Sequence, residues 1–264
     1  MHRTVLGTLP VYKFDTLGRI SNINHFVTTR DVGNKASAMG GFNLSFKVND
    51  DPEQVQENRN VLAKNLGIAT ECLFIPDQTH SSHVRIINSV QDQQSLADTD
   101  ALITSRKGLC IAVLAADCVP ILIYDYKNQV AAAIHAGWKG TIGHIVEKTV
   151  QTMHDKLGAE PINMIACIGP SICEKVYEVG NEVADAFNGF GHEAQSKIVL
   201  PHVNAQKKFL NLQYANKYEL MKLGIKEDNI EVSTLCTFTN NHLFYSARFF
   251  KNNCGRFASG IILK

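Results

Sequence analysis

The sequence ALITSRKGLCIAVLAADCVPILIYDYKNQVAAAIH occupies residues 101–135 and contains four short apolar runs. Gly, Pro, Asp or Asn residues separate these runs, which are rich in Ile, Val, Leu and Ala. Short apolar runs bounded in this way are typical of strands that are buried on both faces. We therefore expect adjacent core strands at residues 101–104, 109–115, 119–124 and 130–135.

Helices are predicted on both sides of this stretch. Residues 52–66 carry apolar side chains at helical spacing and end before Gly67, a common helix stop. Residues 141–157 keep one apolar face at the helical period and end before Gly158. Two further helices are predicted at residues 183–187 and 212–223.

The remaining apolar runs predict more strands, which do not alternate strictly with the helices. We expect a long glycine-containing loop between strands within residues 27–48, and further strands at 73–76, 163–168, 230–236, 243–246 and 258–263. This order favours an α+β fold in which mixed β-sheets are flanked by helices in an α/β/β/α layering, rather than a doubly wound parallel sheet. No linker or repeat divides the chain, so residues 1–264 are interpreted as a single domain.

The charge balance excludes some classes of partner. With 26 Lys and Arg against 25 Asp and Glu, the formal net charge is +1, which favours a small-molecule substrate over nucleic acid. The first ten residues lack the apolar core of an export signal, and no apolar run is long enough to span a bilayer. We expect a cytoplasmic protein without a membrane segment, in which the seven cysteines are free thiols.

Three segments place a metal-binding side chain near the end of a predicted strand. They are DQTHSSH with His80, AADCVP with Cys118, and IHAGWKGT with His135. Two imidazoles and one thiolate would bind zinc with an open fourth position, a pattern of catalytic sites. Copper is an alternative because its intrinsic affinity for such ligands is higher. Cys118 is also a candidate nucleophile paired with His80 or His135, as in a Cys/His hydrolase.

Other residues are candidates for substrate contacts. Arg30 and Arg248 are positively charged residues close to glycine-containing or aromatic segments and suit phosphate or carboxylate. Asp117 precedes Cys118 and is a candidate for orienting a ligand or a proton carrier. Asn43 is a candidate for contacts with a sugar or a base. We expect a loop at residues 169–171 and 177–180, which is either a substrate lid or a turn. The glycine pattern at 189–194 is interpreted as a loop because it follows a predicted helix rather than a strand.

Longer motifs around these residues resemble the laccase-domain family, also called the multicopper polyphenol oxidoreductases, part of which is described as purine nucleoside phosphorylases. The resemblance runs from Thr28 almost to the C-terminus. The motifs that carry it are TTRDVGNKASAMGGFNLSFKVNDDP, DQTHSSHV, TDALIT, AADCVPILIYD, AAAIHAGWKGT, IGPSICEKVYEVG and FYSARFFKNNCGRFASGIIL.

The resemblance implies a monomeric cytosolic enzyme in which His80, Cys118 and His135 hold zinc. It also implies phosphorolysis of adenosine, inosine, guanosine and methylthioadenosine, with phosphate as co-substrate, and hydrolytic deamination of adenosine. The older family name implies copper-dependent polyphenol oxidation. The chain departs from the family pattern at three places: Ser81 stands where Gly is usual, Phe249 follows Arg248 where a second Arg is usual, and Asn211 stands in a usual Leu-Asp-Leu.

These inferences lead to one favoured mechanism and two other hypotheses. In phosphorolysis, Arg30 and Arg248 would hold phosphate while the departing purine is stabilised by hydrogen bonds or a proton. In deamination, zinc would lower the pKa of the attacking water. The other hypotheses are a Cys/His hydrolase or editing factor acting on cell-wall peptide material, with Cys118 as nucleophile, and a non-catalytic zinc-stabilised binding module.

Overall fold

The computed structural model describes residues 1–251 and 253–264 and is rich in short strands. Their bounds are β1 His2–Leu6, β2 Leu9–Lys13, β3 Ile23–Thr28, β4 Leu73–Phe74, β5 Val84–Ile86, β6 Ala101–Thr104, β7 Cys110–Ala115, β8 Val119–Asp125, β9 Val130–Ala136, β10 Met164–Ile168, β11 Glu178–Gly180, β12 Val199–Leu200, β13 Lys207–Leu210, β14 Ile230–Val232 and β15 Phe257–Leu263. The four strands predicted from residues 101–135 are therefore confirmed, each to within one residue at either end.

The α-helices connect these strands. Their bounds are α1 Asp15–Gly18, α2 Pro52–Leu66, α3 Trp138–Ile142, α4 Ile145–Leu157, α5 Asn181–Asp185, α6 His192–Ile198, α7 Leu212–Lys222 and α8 Ala247–Phe250. Helix α2 begins where Asp51 accepts a hydrogen bond from the Glu53 backbone N–H and ends at Gly67, whose φ of 73° is left-handed. At the start of α7 the side chain of Asn211 accepts a hydrogen bond from the Tyr214 N–H. Asn211, which stands where the family pattern has Asp, therefore still caps this helix.

Two six-stranded mixed sheets make the centre of the fold. The first sheet has the strand order β1-β2-β3-β15-β7-β4, and the second has the order β14-β10-β8-β9-β6-β5. In the first sheet β4 runs parallel to β7, and in the second β5 runs parallel to β6 and β10 parallel to β14; the other pairs are antiparallel. A smaller sheet has the order β11-β13-β12.

The alternation of side chains along two strands explains the layering. Ile111 and Val113 of β7 point into the core between the sheets, where they meet Leu122 of β8. Ala112 and its neighbours on the other face of the first sheet pack against α2.

On the outer face of the second sheet, Ile121 and Ile123 of β8 belong to the core that includes Val146 and Val150 of α4 and Leu220 of α7. The predicted α+β fold with α/β/β/α layering is confirmed. None of the helices in residues 1–251 and 253–264 is long and apolar enough to cross a membrane.

The structure corrects several predicted elements. Residues 243–246 form turns and irregular backbone instead of a strand: the N–H groups of Leu243 and Phe244 both bond to the Asn240 carbonyl. Residues 230–236 are a strand only as far as Val232. Residues 27–48 contain one strand, which ends at Thr28, and continue as turns and irregular backbone.

Two helical segments and one hairpin also differ from expectation. The helix predicted at 141–157 is interrupted at Gly143 and at His144, whose φ of 57° is left-handed, so that α3 and α4 are separate. The segment interpreted as a loop at 189–194 contains the start of α6. The hairpin of β1 and β2 was not predicted, because its outer strand is mostly exposed and carries few apolar residues.

Candidate metal site and cavity

Two of the three predicted metal ligands lie where the chain passes from one large sheet to the other, and the third is on a strand of the second sheet. His80 follows β4 of the first sheet and precedes β5 of the second, while Cys118 lies between β7 of the first and β8 of the second. His135 is on β9, opposite Pro120 of β8. One ligand atom from each of the three side chains lies within 4.8 Å of the other two. The fold therefore brings together residues that are far apart in sequence.

Asp100 holds the ring of His135 and the backbone at His80. It is fully buried directly before β6, and its Oδ1 lies 2.8 Å from Nδ1 of His135. Its carboxylate also accepts the backbone N–H groups of Thr79, His80 and Ser81, and the Ser81 hydroxyl at 2.7 Å. These bonds hold the loop at His80, whose φ of 62° is left-handed. Ser81, the departure from the family pattern, thus contributes an additional donor to Asp100.

The charges of the site are strongly coupled. Burial alone would raise the pKa of the Cys118 thiol, but the adjacent imidazoles of His135 and His80 lower it to about 6. Burial would lower the pKa of His135, whereas Cys118 and Asp100 raise it to about 9. For Asp100 burial also acts against the charged form, but hydrogen bonds from His135 and Ser81 hold the pKa of its carboxyl well below the usual range. The Cys118 thiolate is therefore stabilised by the positive charge of the neighbouring imidazoles, a charge that a metal cation would supply in place of their protons.

The donor set fits a zinc or copper ion. Because Nδ1 of His135 contacts Asp100, its Nε2 is the nitrogen left for a metal, the usual arrangement of a carboxylate behind a ligating histidine. Gly137 leaves the required space, since a Cβ at this position would lie 2.9 Å from Cδ2 of His80 and 3.1 Å from Sγ of Cys118. Because His80 is exposed, the three side chains leave one side of the site open.

That open side faces a cavity of about 1010 Å³. Its wall contains the three candidate ligands, Asp117, the aromatic residues Trp138 and Tyr177, and the positively charged residues Lys47, Arg59, Arg248, Lys251 and Arg256. Flat aromatic rings and several positive charges around one cavity suit a ligand with a planar ring and an anionic group.

Asp117 lies in this wall, but both of its carboxylate oxygens have protein partners. Oδ1 accepts from the Thr237 hydroxyl at 2.6 Å, and Oδ2 accepts from the Arg248 backbone N–H at 2.7 Å. The backbone of Asp117 has a left-handed φ of 89°. Asp117 therefore fixes the start of α8 at the edge of the cavity.

Arg248 reaches the cavity from α8. Its guanidinium carbon lies 5.4 Å from the centre of the Tyr177 ring, and Nη2 donates to the Glu178 carbonyl at 3.0 Å. The predicted lid or turn at residues 177–180 thus consists of a cavity-lining Tyr177 followed by β11.

Arg30 and Asn43 lie behind the cavity wall and are not among the lining residues that the structure describes. The guanidinium of Arg30 donates to the carbonyls of Asn241 and Gly40, both at 3.1 Å, and lies 4.4 Å from the centre of the Phe250 ring.

Asn43 is fully buried and stabilises its own loop. Its amide nitrogen donates to Ser45 and Asp50, and its amide oxygen accepts from the backbone N–H groups of Ser45 and Arg256. No donor or acceptor of this side chain is left for a sugar or base.

Sequence reasoning missed Asp100 and gave Trp138 no role. The signal for Asp100 was available in the segment TDALIT, where an acidic residue directly precedes a continuous apolar run. A carboxylate at the start of a buried strand costs free energy unless it is hydrogen-bonded, so such a position indicates a partner.

The sequence is similar to those of known proteins along nearly its whole length. A sequence profile of the family described as multi-copper polyphenol oxidoreductase laccase matches residues 24–264. A purine nucleoside phosphorylase of Bacteroides thetaiotaomicron is 36% identical over 257 residues, which cover 95% of each chain. Adenosine deaminase RL5, from an unknown prokaryotic organism, is 36% identical over 259 residues, which cover 96% of this chain and 98% of the relative.

Solved structures share the whole architecture. The hypothetical protein YfiH of Bacillus licheniformis superposes with a TM-score of 0.86 at 30% identity, covering 92% of this chain and 93% of that chain. YlmD from Geobacillus stearothermophilus superposes with a TM-score of 0.85 at 26% identity, with the same coverage.

Proposed function

Because the chain belongs to the multi-copper polyphenol oxidoreductase laccase family, with relatives named for reactions of purine nucleosides, we propose that it is a purine nucleoside phosphorylase that also deaminates adenosine. Its substrates in this proposal are adenosine, inosine, guanosine and methylthioadenosine, which it cleaves with phosphate to the free base and the ribose-1-phosphate or its methylthio analogue. The observation that carries the proposal is the convergence of His80, Cys118 and His135 on a cavity lined by aromatic rings and positive charges.

We assign zinc to the three-residue site, held by Nε2 of His135, Sγ of Cys118 and the imidazole of His80. When bound, the ion would supply a Lewis acid at the wall of the cavity. Asp100 keeps the His135 ring in the orientation and tautomer that binding requires. Copper fits the same donor set, so the metal content of purified protein decides between the two ions.

The remaining residues bind and orient the substrate. Arg248, with the other positive charges of the wall, binds phosphate and stabilises the negative charge that develops during phosphorolysis. Trp138 and Tyr177 provide surfaces on which the purine ring stacks. Asp117 acts as a positioning residue because it fixes the backbone of Arg248. Arg30 supports the cavity indirectly, through its contact with Phe250 of α8.

The direct test is incubation of the purified protein with adenosine, with and without phosphate, followed by chromatography of the products. We expect adenine to form only with phosphate and inosine to form in both conditions, with hypoxanthine accumulating from inosine when phosphate is present. If neither base nor inosine forms in zinc-loaded protein, the proposed function is wrong.

Variants of the metal site separate a catalytic ion from a structural one. His80→Ala and Cys118→Ala should each lower both activities by at least about 100-fold, since the open coordination position loses its geometry. His83→Ala is the matched control, because this exposed histidine lies on the same loop and contacts Asp98. Intact turnover in a zinc-free Cys118→Ala protein would make the ion structural.

A Cys/His hydrolase remains the alternative with an observation in its favour, namely the lowered pKa of Cys118 beside two imidazoles. Chelation distinguishes the two functions. A nucleoside phosphorylase that needs its metal loses activity on chelation and recovers it with zinc. A cysteine hydrolase would be active without metal and be inactivated by a thiol-alkylating reagent. The third hypothesis, a zinc-stabilised binding module, predicts no turnover in either state.

A further inference from the structure

A second group of metal-binding side chains lies outside the cavity, where the start of α4 meets α7. His144 immediately precedes α4, Glu147 is in the first turn of α4, and Glu219 is on α7. One ligand atom of each lies within 4.8 Å of the other two. None of the three belongs to the described lining of the cavity, so the group is distinct from His80, Cys118 and His135.

Glu219 has an unsatisfied oxygen within this group. The residue is 4% exposed, and its Oε1 lies 2.8 Å from Nδ1 of His144. Its Oε2 is buried and has no hydrogen-bond partner among the residues that the structure describes. Burial raises the pKa of this carboxyl, which reflects the cost of keeping the charge there. A buried carboxylate oxygen without a donor is destabilising unless a cation or a proton compensates it.

His144 is held in a position that leaves access from solvent. Its left-handed backbone interrupts the helix between α3 and α4, and its ring stacks on Phe190 with centroids 6.1 Å apart. The side chain is 53% exposed, and Nδ1 lies 3.7 Å from Oε2 of Glu147, which is itself partly exposed. A cation can therefore reach the buried carboxylate of Glu219 from the surface.

From this geometry we propose that His144, Glu147 and Glu219 form a second metal site, which binds a divalent transition cation of the zinc class. One imidazole and two carboxylates are ligands that zinc accepts, with water completing the coordination. Ligands at about 2.1 Å in a tetrahedron are about 3.4 Å apart. The separations of 2.8 and 3.7 Å from Nδ1 of His144 lie on either side of this value, so a small rotation of a half-exposed side chain accommodates the ion.

The ion would connect the start of α4 to α7 across the outer helical layer. This role is structural, because the group lies outside the cavity. Nδ1 of His144 would release its proton to solvent and bind the cation, so the hydrogen bond between His144 and Glu219 would be replaced by one bond from each side chain to a common ion.

Zinc stoichiometry of the full-length protein tests the proposal. Equilibrium dialysis followed by metal analysis should give two equivalents for the wild type and one for Glu219→Gln or for His144→Gln. Loading with cobalt identifies which site remains, because only the site with Cys118 gives thiolate-to-cobalt absorption, and that band should persist in both variants.

His154→Gln is the matched control. His154 is a half-exposed histidine in the last turn of α4, and its Nδ1 lies 3.5 Å from the single carboxylate of Glu160. This variant should keep two equivalents. One equivalent in the wild type together with the thiolate-to-cobalt band, two equivalents in Glu219→Gln, or an equal loss in His154→Gln would each overturn the proposal. If Glu219→Gln fails to fold by circular dichroism, His144→Gln decides, since its exposed side chain tolerates substitution.

Discussion

Among single residues, Asp100 connects two of the three segments that form the candidate metal site. It accepts from the His135 ring and from three consecutive backbone N–H groups around His80. Replacing it with Asn puts an amide donor against groups that already donate. We expect Asp100→Asn to lower zinc affinity by about 10- to 100-fold, the usual effect of losing a carboxylate behind a ligating histidine.

Competition with a chelator of known affinity measures this change. Asp98→Asn is the control, since Asp98 is exposed and contacts His83 and the Thr79 hydroxyl instead of a candidate ligand. An unchanged affinity in Asp100→Asn, with native circular dichroism, would show that Asp100 does not position the ligands.

His25 predicts a dependence of stability on pH that is independent of the metal. Burial, helped by the charge of Lys13, lowers the pKa of His25 from 6.5 to about 4, and its Nε2 accepts from the Phe14 N–H at 2.8 Å. Between pH 6.5 and 4 the unfolded chain binds a proton that the folded protein excludes. The contribution of neutral His25 to the free energy of unfolding is therefore complete above pH 6.5. It is lost as the pH falls from 6.5 to 4, and the total loss is about 3 kcal/mol.

Urea denaturation at pH 7.5 and pH 4.5, with a chelator present throughout, checks this expectation. Between pH 7.5 and pH 4.5 the free energy of unfolding should fall by about 2–3 kcal/mol more in the wild type than in His25→Gln. The amide of Gln can still accept from the Phe14 N–H but does not titrate. Equal losses in the two proteins would rule out His25 as the titrating group.

At the scale of elements, β15 is packed tightly between β3 and β7. Gly260 lies opposite Phe26 on one side and Ala112 on the other, and a Cβ there would be 2.5 Å from Cζ of Phe26 and 2.8 Å from Cβ of Ala112. We expect Gly260→Ala to lower the free energy of unfolding by roughly 1–3 kcal/mol through overpacking.

The midpoint and slope of urea denaturation give this value. Gly189→Ala is the reference substitution, since no heavy atom lies within 4 Å of the added Cβ. A Gly260→Ala protein as stable as the reference would mean that β15 shifts to make room.

The sequence predicts elements well where burial determines the pattern. Strands β6 to β9 are buried along their whole length, so continuous apolar runs mark them, and Asp51 and Gly67 mark the ends of α2. Residues 243–246 were misassigned because Phe244 and Tyr245 are buried without being in a sheet, and an apolar run does not reveal its hydrogen-bond partners.

The candidate site was predictable in part for the same reason. His80, Cys118 and His135 follow or end marked strands, and so their convergence could be expected. The positions of Arg30 and Asn43 behind the cavity wall depend on the path of an irregular loop, which has no periodic pattern to read.

At the scale of the whole molecule, the two large sheets share a core and the candidate metal site lies at their connections. Residues from β7 and β8 belong to one hydrophobic cluster, and the segments with His80 and Cys118 join one sheet to the other. We therefore propose that residues 1–264 unfold as one unit, which a metal at this site stabilises because it binds only the folded state.

Thermal unfolding followed by far-ultraviolet circular dichroism and by fluorescence of Trp138, the single tryptophan, tests this proposal. The two midpoints should coincide in chelator, and zinc should raise both together. Separate midpoints would divide the chain into more than one unit.

The position of β15 has a consequence for synthesis on the ribosome. Of the strands in the first sheet it is the last to be translated, yet it forms the bridge between β3 and β7. Until residues 257–263 leave the exit tunnel, those two neighbours have unpaired edges with apolar faces, which are the features that aggregation and chaperones act on. The nascent chain therefore completes its first sheet only after translation of nearly all the residues described here.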